Sequence, residues 1–156
     1  MLTFEPHPRE FFAPEGEPFR ITLLPEKARR LAALGAAHVF VPAFDAGFAS
    51  LSAAEFMAFL RDRLRARHIV VGGDFAFGKN RAGNIDTLRG LFDVTVMEPV
   101  TCADGAAYSS TRIRDLLRQG DLSAAAALLG RPWEIEAEVV HGDKRGRELG
   151  FPTANQ

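Results

Sequence analysis

Four short apolar runs, at residues 2–5, 38–41, 68–71 and 94–97, are separated by stretches that carry helix signals. This succession constrains the fold more than any other feature. Strands that return through helices pair in parallel, and a parallel sheet covered on both faces has strands that are apolar throughout. His38-Val39-Phe40-Val41 and His68-Ile69-Val70-Val71 read this way. Between the first two runs, Pro25 and Glu26 take the favoured first-turn positions of a helix that Gly35 closes. Ser52-Ala53-Ala54-Glu55 is a capping box, followed by Phe56, Met57, Leu60 and Leu64 at one-face helical spacing. Further helices are expected at residues 85–91, 111–118 and 123–129. Pro14, Gly16 and Pro18 punctuate residues 11–19, which read as a loop. The fold class is therefore α/β, with helices expected on both faces of the sheet.

The pattern changes at Gly130-Arg131-Pro132. Trp133, Ile135, Ala137 and Val139 alternate with Glu134, Glu136 and Glu138, the pattern of a half-exposed antiparallel strand. This places a domain boundary near residue 131, with units at 1–131 and 132–156. The second unit is too short to bury a core of its own, so it is expected to be the beginning of a larger domain.

Composition excludes several classes. With 47% apolar and 25% charged residues the 156-residue chain is of globular type. No apolar run approaches the ~20 residues of a membrane helix. A net charge of −1 gives no global field to hold nucleic acid. Only three of the 19 cations are lysine, and arginine suits bidentate contacts to phosphate and carboxylate. Cys102 is the only cysteine, which excludes an intrachain disulfide and a cysteine zinc site and fits a reducing cytoplasm. The first residues lack the basic and apolar regions of a signal peptide. Oligomeric state is not readable.

Three constellations can carry chemistry. The first is Gly72-Gly73-Asp74-Phe75-Ala76-Phe77-Gly78-Lys79-Asn80-Arg81-Ala82-Gly83, which follows a strand at the sheet edge where ligands of open α/β sheets bind. Lys79 and Arg81 offer charge, and Phe75 and Phe77 offer planar surface for an aromatic ligand; the alternative is a solvated turn with two phenylalanines in the core. The second is Ser109-Ser110-Thr111-Arg112-Ile113-Arg114. Hydroxyls, free N–H groups and arginines at a helix start make a phosphate cradle; the alternative is capping by Ser110 beside solvated arginines. The third is a basic, glycine-punctuated loop from His141 that leads to Thr153 and Asn155, oxygen ligands suited to Mg²⁺ on a nucleotide or, alternatively, part of a plain hairpin loop. His7 is restricted between Pro6 and Pro8, and His38 and His68 read as strand-edge residues. Asp45, Asp74 and Asp86 form no metal-ligand spacing, and Cys102 reads as inert.

In this order, Leu2-Thr3-Phe4-Glu5-Pro6-His7-Pro8-Arg9, the Gly73-Asp74-Phe75-x-Phe77-Gly78 loop, Ser109-Ser110-Thr111-x-Ile113-Arg114 and Gly150-Phe151-Pro152-Thr153-Ala154-Asn155 resemble the prokaryotic bifunctional riboflavin kinase/FMN adenylyltransferases, or FAD synthetases. The resemblance covers essentially the whole chain. It implies a Rossmann-like nucleotidyltransferase that joins FMN and ATP into FAD and pyrophosphate with Mg²⁺, followed by the first strand of a riboflavin kinase β-barrel. It implies ATP-phosphate binding by Ser109, Ser110, Thr111 and Arg114. It implies a flavin and nucleotide pocket around Pro6, His7, Pro8, Asp74, Phe75, Phe77, Gly78, Lys79 and Arg81. At the kinase site it implies that Thr153 and Asn155 hold Mg-ATP. The partners implied are small molecules (ATP, FMN and riboflavin), with no nucleic acid or membrane. The family's Gly-x-Phe-Asp-Gly-x-His-x-Gly-His segment has no counterpart here, and neither does most of the barrel. The catalytic groups are thus expected outside this chain, which is expected to be a fragment inactive by itself. Two readings remain beside this one. A related nucleotidyltransferase acting on pantetheine phosphate or nicotinate mononucleotide would lack the Pro-Thr-Ala-Asn segment, and a flavin- or nucleotide-binding module would lack turnover.

Overall fold

The structure, a computed structural model, describes residues 1–15, 20–102 and 105–136. Two strands, β1 (His68–Gly72) and β2 (Asp93–Met97), pair in parallel with His68 opposite Asp93 and Gly72 opposite Met97. The connection between them contains α5 (Ile85–Arg89), capped by Asn84, whose side chain accepts from Thr87 N. Leu88 on this helix is fully buried, and Phe92 just beyond it is nearly so. Burying a leucine completely contributes roughly 1.5–3 kcal/mol, so α5 is held chiefly by this face.

The N-terminal run pairs in parallel with residues 40–44. Phe40 N donates to Met1 O, Thr3 N to Phe40 O, Glu5 N to Pro42 O and Phe44 N to Glu5 O, at 2.9–3.3 Å. Two isolated bridges, Leu2–Phe40 and Glu5–Ala43, replace the two continuous strands expected at 2–5 and 38–41. Pro42 has no N–H to donate, which interrupts the ladder midway. An apolar cleft of about 460 Å³ separates this pair from β1, with Leu2 and Phe4 on one side and Ile69 and Val71 on the other.

The capping box is present: Ser52 Oγ accepts from Glu55 N at 3.2 Å and Glu55 Oε2 accepts from Ser52 N at 2.8 Å. It starts α4 (Ala53–Ala58), which continues as a π-helical turn over Phe59–Arg63. Phe56 and Leu60 enter the core with Phe77, Leu88 and Phe92. The chain also forms α2 (Leu24–Ala33), α3 (Ala46–Ala49), α6 (Ser110–Gln119) and α7 (Leu122–Leu129). Gly120 and Gly130, at φ 77° and 69°, end α6 and α7 in the left-handed conformation that glycine adopts without steric cost.

Three further expectations change. The strands are not buried on both faces: Ile69, Val71 and Val94 pack on the core, whereas Val70 on the opposite face is 58% exposed. The loop expected at 11–19 begins only after a short helix, α1 (Pro8–Phe12), with Pro8 in its first turn and His7 as its cap. Residues 133–136 form no strand. Instead Trp133 Nε1 donates to Ile21 O at 2.9 Å, and Glu134 and Glu136 pair with Arg30 and Arg29 of α2. The rest of the expected barrel strand, with the basic loop, Thr153 and Asn155, lies outside the described residues.

Candidate functional site

A cavity of about 460 Å³ opens where the chain leaves the N-terminal run and β1. Phe4, Pro8, Arg9 and Phe12 line one side, Phe44, Phe48, Leu51 and Phe56 another, and Phe75, Phe77, Gly78, Asn80 and Arg81 close it. The rings meet edge-to-face at Phe4–Phe44 (5.6 Å) and Phe12–Phe44 (5.9 Å), tilted at Phe56–Phe77 (5.2 Å), and stacked at Phe75–Phe77 (5.7 Å, 25°). The lining is rich in phenylalanine, with Arg9 and Arg81 its charged residues, which suits an aromatic ligand that carries negative charge.

Glycine is required at two positions of the loop after β1, Gly78 and Gly83. Gly78 has φ 73°, and a Cβ there would lie 2.7 Å from Ala53 N, so the loop rests on the start of α4. Lys79 N donates to Leu51 O at 2.7 Å and fixes the same junction. Asn80 and Arg81 both have φ 56°. A left-handed arginine costs roughly 1–2 kcal/mol, and such strain clusters at ligand sites. Of the residues expected in the pocket, Pro8, Phe75, Phe77, Gly78 and Arg81 line this cavity. Pro6, His7, Asp74 and Lys79 do not, and Asp74 and Lys79 are exposed. The core reading of Phe77 holds as well, since it is 6% exposed and still forms a wall.

Beside the cavity, the turn before α1 is clamped. Arg20 donates to both oxygens of Glu5 at 2.6 and 2.8 Å and also pairs with Glu10. Glu10 in turn accepts from His7 N at 3.3 Å. These bonds to Arg20 hold the Glu10 carboxyl below its ordinary range. His7 Nδ1 accepts from Arg9 N at 3.1 Å, so the neutral ring carries its proton on Nε2. Burial is the main cause that depresses the His7 pKa, and the nearby cations Lys27, Arg20 and Arg114 add to it against Glu10.

Helix α6 supplies the third part. Its cap is Ser109, whose Oγ accepts from Arg112 N at 3.3 Å, and not Ser110, which is the first helical residue. Ser110 and Thr111 are exposed at this end, and Arg114 is half-buried one turn on. Burial, then the like charges of Arg9 and Arg118, lower the proton affinity of Arg114. Arg9 lines the aromatic cavity, and its charge is felt at Arg114. Cys102 Sγ lies 3.9 Å from Arg112 Nη1. Among the described residues no three His, Cys, Asp or Glu side chains converge as a metal site, and no helix is long and apolar enough to cross a membrane.

Sequence reasoning missed Phe12, Phe44, Phe48 and Phe56 as cavity residues. The available signal was the phenylalanine content, 13 in 156 residues.

The FAD synthetase family model matches residues 1–112, and the riboflavin kinase family model matches residues 129–156. Bifunctional riboflavin kinase/FMN adenylyltransferases from Escherichia coli K12, Pseudomonas fluorescens and Bacillus subtilis 168 are 42%, 42% and 40% identical over 99% of this chain. The chain spans about half the length of these relatives, 51%, 51% and 50% respectively. A crystal structure described as that of a macrolide-efflux protein from Streptococcus pneumoniae superposes with a TM-score of 0.75 at 34% identity. The match covers 99% of this chain and 51% of that one.

Proposed function

The chain belongs to the FAD synthetase family, and from that premise we propose that it contributes the adenylyl-transfer site of a bifunctional enzyme of FAD biosynthesis. The observation that carries this reading is the aromatic cavity of about 460 Å³ with Arg9 and Arg81 in its lining. The isoalloxazine ring of FMN sits among Phe12, Phe44, Phe75 and Phe77, with Arg81 at the rim. A phosphate oxygen of FMN attacks the α-phosphorus of ATP, the bond to the bridging oxygen of the β-phosphate breaks, and pyrophosphate leaves. The chemistry calls for positioning and for neutralisation of developing charge rather than for a protein nucleophile. The N–H groups and hydroxyls of Ser109, Ser110 and Thr111 together with Arg114 serve that end.

In this reading residues 1–131 form a Rossmann-like nucleotidyltransferase unit, and residues 132–156 begin a riboflavin kinase barrel in which Thr153 and Asn155 hold Mg-ATP. In this reading Mg²⁺ enters with the phosphates of ATP. The setting is cytoplasmic and the partners are small molecules.

The test is to incubate the protein that carries this chain with riboflavin, ATP and Mg²⁺ and to separate the flavins by chromatography. FMN and then FAD are expected. Adenylylation of pantetheine phosphate or nicotinate mononucleotide without any flavin product would overturn the reading.

A further inference from the structure

Helix α1 (Pro8–Phe12) cannot hold its place unaided. Its five residues fall far below the roughly 12–15 at which a helix becomes even marginally stable in water, and none of them is buried. Yet Pro8, Arg9 and Phe12 line the aromatic cavity, together with Phe4 of the N-terminal run. Whatever fixes α1 against that run therefore fixes the shape of the cavity.

Ring contacts and ion pairs both reach α1. Phe11 and Phe12 meet the Phe44 ring edge-to-face at 5.5 and 5.9 Å. Apolar burial of this kind is non-directional, so it draws the helix in without fixing its angle. Arg20 supplies the direction. Its Nη1 and Nη2 donate to the two oxygens of Glu5 at 2.8 and 2.6 Å, and its Nε and Nη2 donate to the two oxygens of Glu10. Glu5 bridges to Ala43 at the end of the N-terminal run, and Glu10 is the middle residue of α1. One guanidinium thus ties together the elements on either side of the Pro6-His7 turn. The Arg20 side chain is 19% exposed, which shelters these charge-assisted bonds from the screening that weakens surface pairs. Its planar fork presents two edges to two carboxylates, which the compact ammonium of a lysine cannot do. Arg20 itself lines neither cavity.

We propose that Arg20 is a positioning residue of the aromatic cavity: it ties α1 to the N-terminal run and so sets the wall formed by Pro8, Arg9 and Phe12. It acts through these residues and not on the ligand. The inference rests on the adenylyl-transfer reading, in which this cavity takes the flavin, and adds to it a residue from outside the lining.

The experiment compares the full protein as wild type, Arg20→Met, Arg20→Lys and Glu10→Gln by amide hydrogen exchange and by kinetics. The local readout is exchange at Phe11 and Ala13, whose N–H groups donate to His7 O and Arg9 O. In Arg20→Met it is expected to rise about tenfold or more, the scale of a lost charge-assisted bond, while exchange in β1 and β2 stays at the wild-type level. The KM for FMN in adenylyl transfer rises by a similar factor, with kcat and riboflavin phosphorylation near their wild-type values. A general loss of stability would instead lower both reactions together. Arg20→Lys and Glu10→Gln each keep part of the clamp and fall between wild type and Arg20→Met. Should Arg20→Met not fold, Glu10→Gln carries the same readouts. Unchanged exchange at Phe11 and Ala13, or an unchanged KM for FMN in a protein whose α1 has loosened, overturns the proposal. A loosened α1 in a protein that makes no FAD would instead overturn the function proposed above and leave the Arg20 clamp standing.

Discussion

The Phe77 ring lies so close to the backbone of Gly83 that a Cβ at position 83 would sit 2.5 Å from Phe77 Cε2. The two residues also exchange backbone bonds, Phe77 N to Gly83 O at 3.0 Å and Gly83 N to Phe77 O at 2.9 Å, which close the loop on itself. Phe77 is a core residue and a wall of the aromatic cavity, so it cannot retreat cheaply. Gly83→Ala is expected to cost about 1–3 kcal/mol, the usual range for overpacking. Urea denaturation measures it, and Gly83→Ala combined with Phe77→Leu should recover part of the loss. Wild-type stability in Gly83→Ala would show that the ring moves freely.

His7 gives the site a pH dependence with a definite sign. Burial and the cations Lys27, Arg20 and Arg114 depress its pKa below 6.5, with Glu10 opposing them. A depressed folded-state pKa contributes stability that is fully present above pH 6.5 and is lost as pH falls through the lowered value. Protonation of Nδ1 would also remove the acceptor that caps α1. The wild type should therefore lose urea resistance between pH 7.5 and 5.5. His7→Asn, which keeps a capping side chain but does not titrate, should lose less over the same interval. An equal loss in both proteins would assign the pH dependence to other groups.

What the sequence disclosed follows the range of the forces involved. The Ser52–Glu55 capping box, the start of α2 at Pro25 and its end before Gly35, α6 and α7 depend on bonds within one turn, and these were legible. Strands β1 and β2 were legible from apolar runs, but the exposure of Val70 was not, because it depends on which elements cover the sheet. Pro14, Gly16 and Pro18 drew residues 11–12 into an expected loop, whereas Pro8 in a first helical turn was the informative signal. Ser109 and Ser110 cannot be told apart as caps by residue type; the extended backbone of Ser109 decides it. Phe12, Phe44 and Phe48 form one cavity only after α1, α3 and the N-terminal run have packed, and no local pattern encodes that meeting.

The start of α6 offers a separation of structural from functional roles within one motif. Ser109 is the cap, so Ser109→Ala should destabilise the protein by about 1 kcal/mol. Ser110 accepts no capping bond, so Ser110→Ala should leave stability unchanged and weaken only ATP binding. Arg114→Ala removes a charge-assisted contact worth roughly 1.5–3 kcal/mol, which corresponds to about a 10- to 150-fold loss in kcat/KM for adenylyl transfer. None of the three should alter riboflavin phosphorylation, for which Thr153 and Asn155 are the proposed residues. Thr153→Ala and Asn155→Ala should do the reverse, weakening the kinase reaction and sparing adenylyl transfer. The measurement is kcat/KM for each half-reaction in the five variants, beside their thermal unfolding. An Arg114→Ala variant that slows both reactions equally would overturn the assignment of separate sites. One that slows neither would make Arg114 a structural arginine, since its half-buried guanidinium would then serve only the packing of α6.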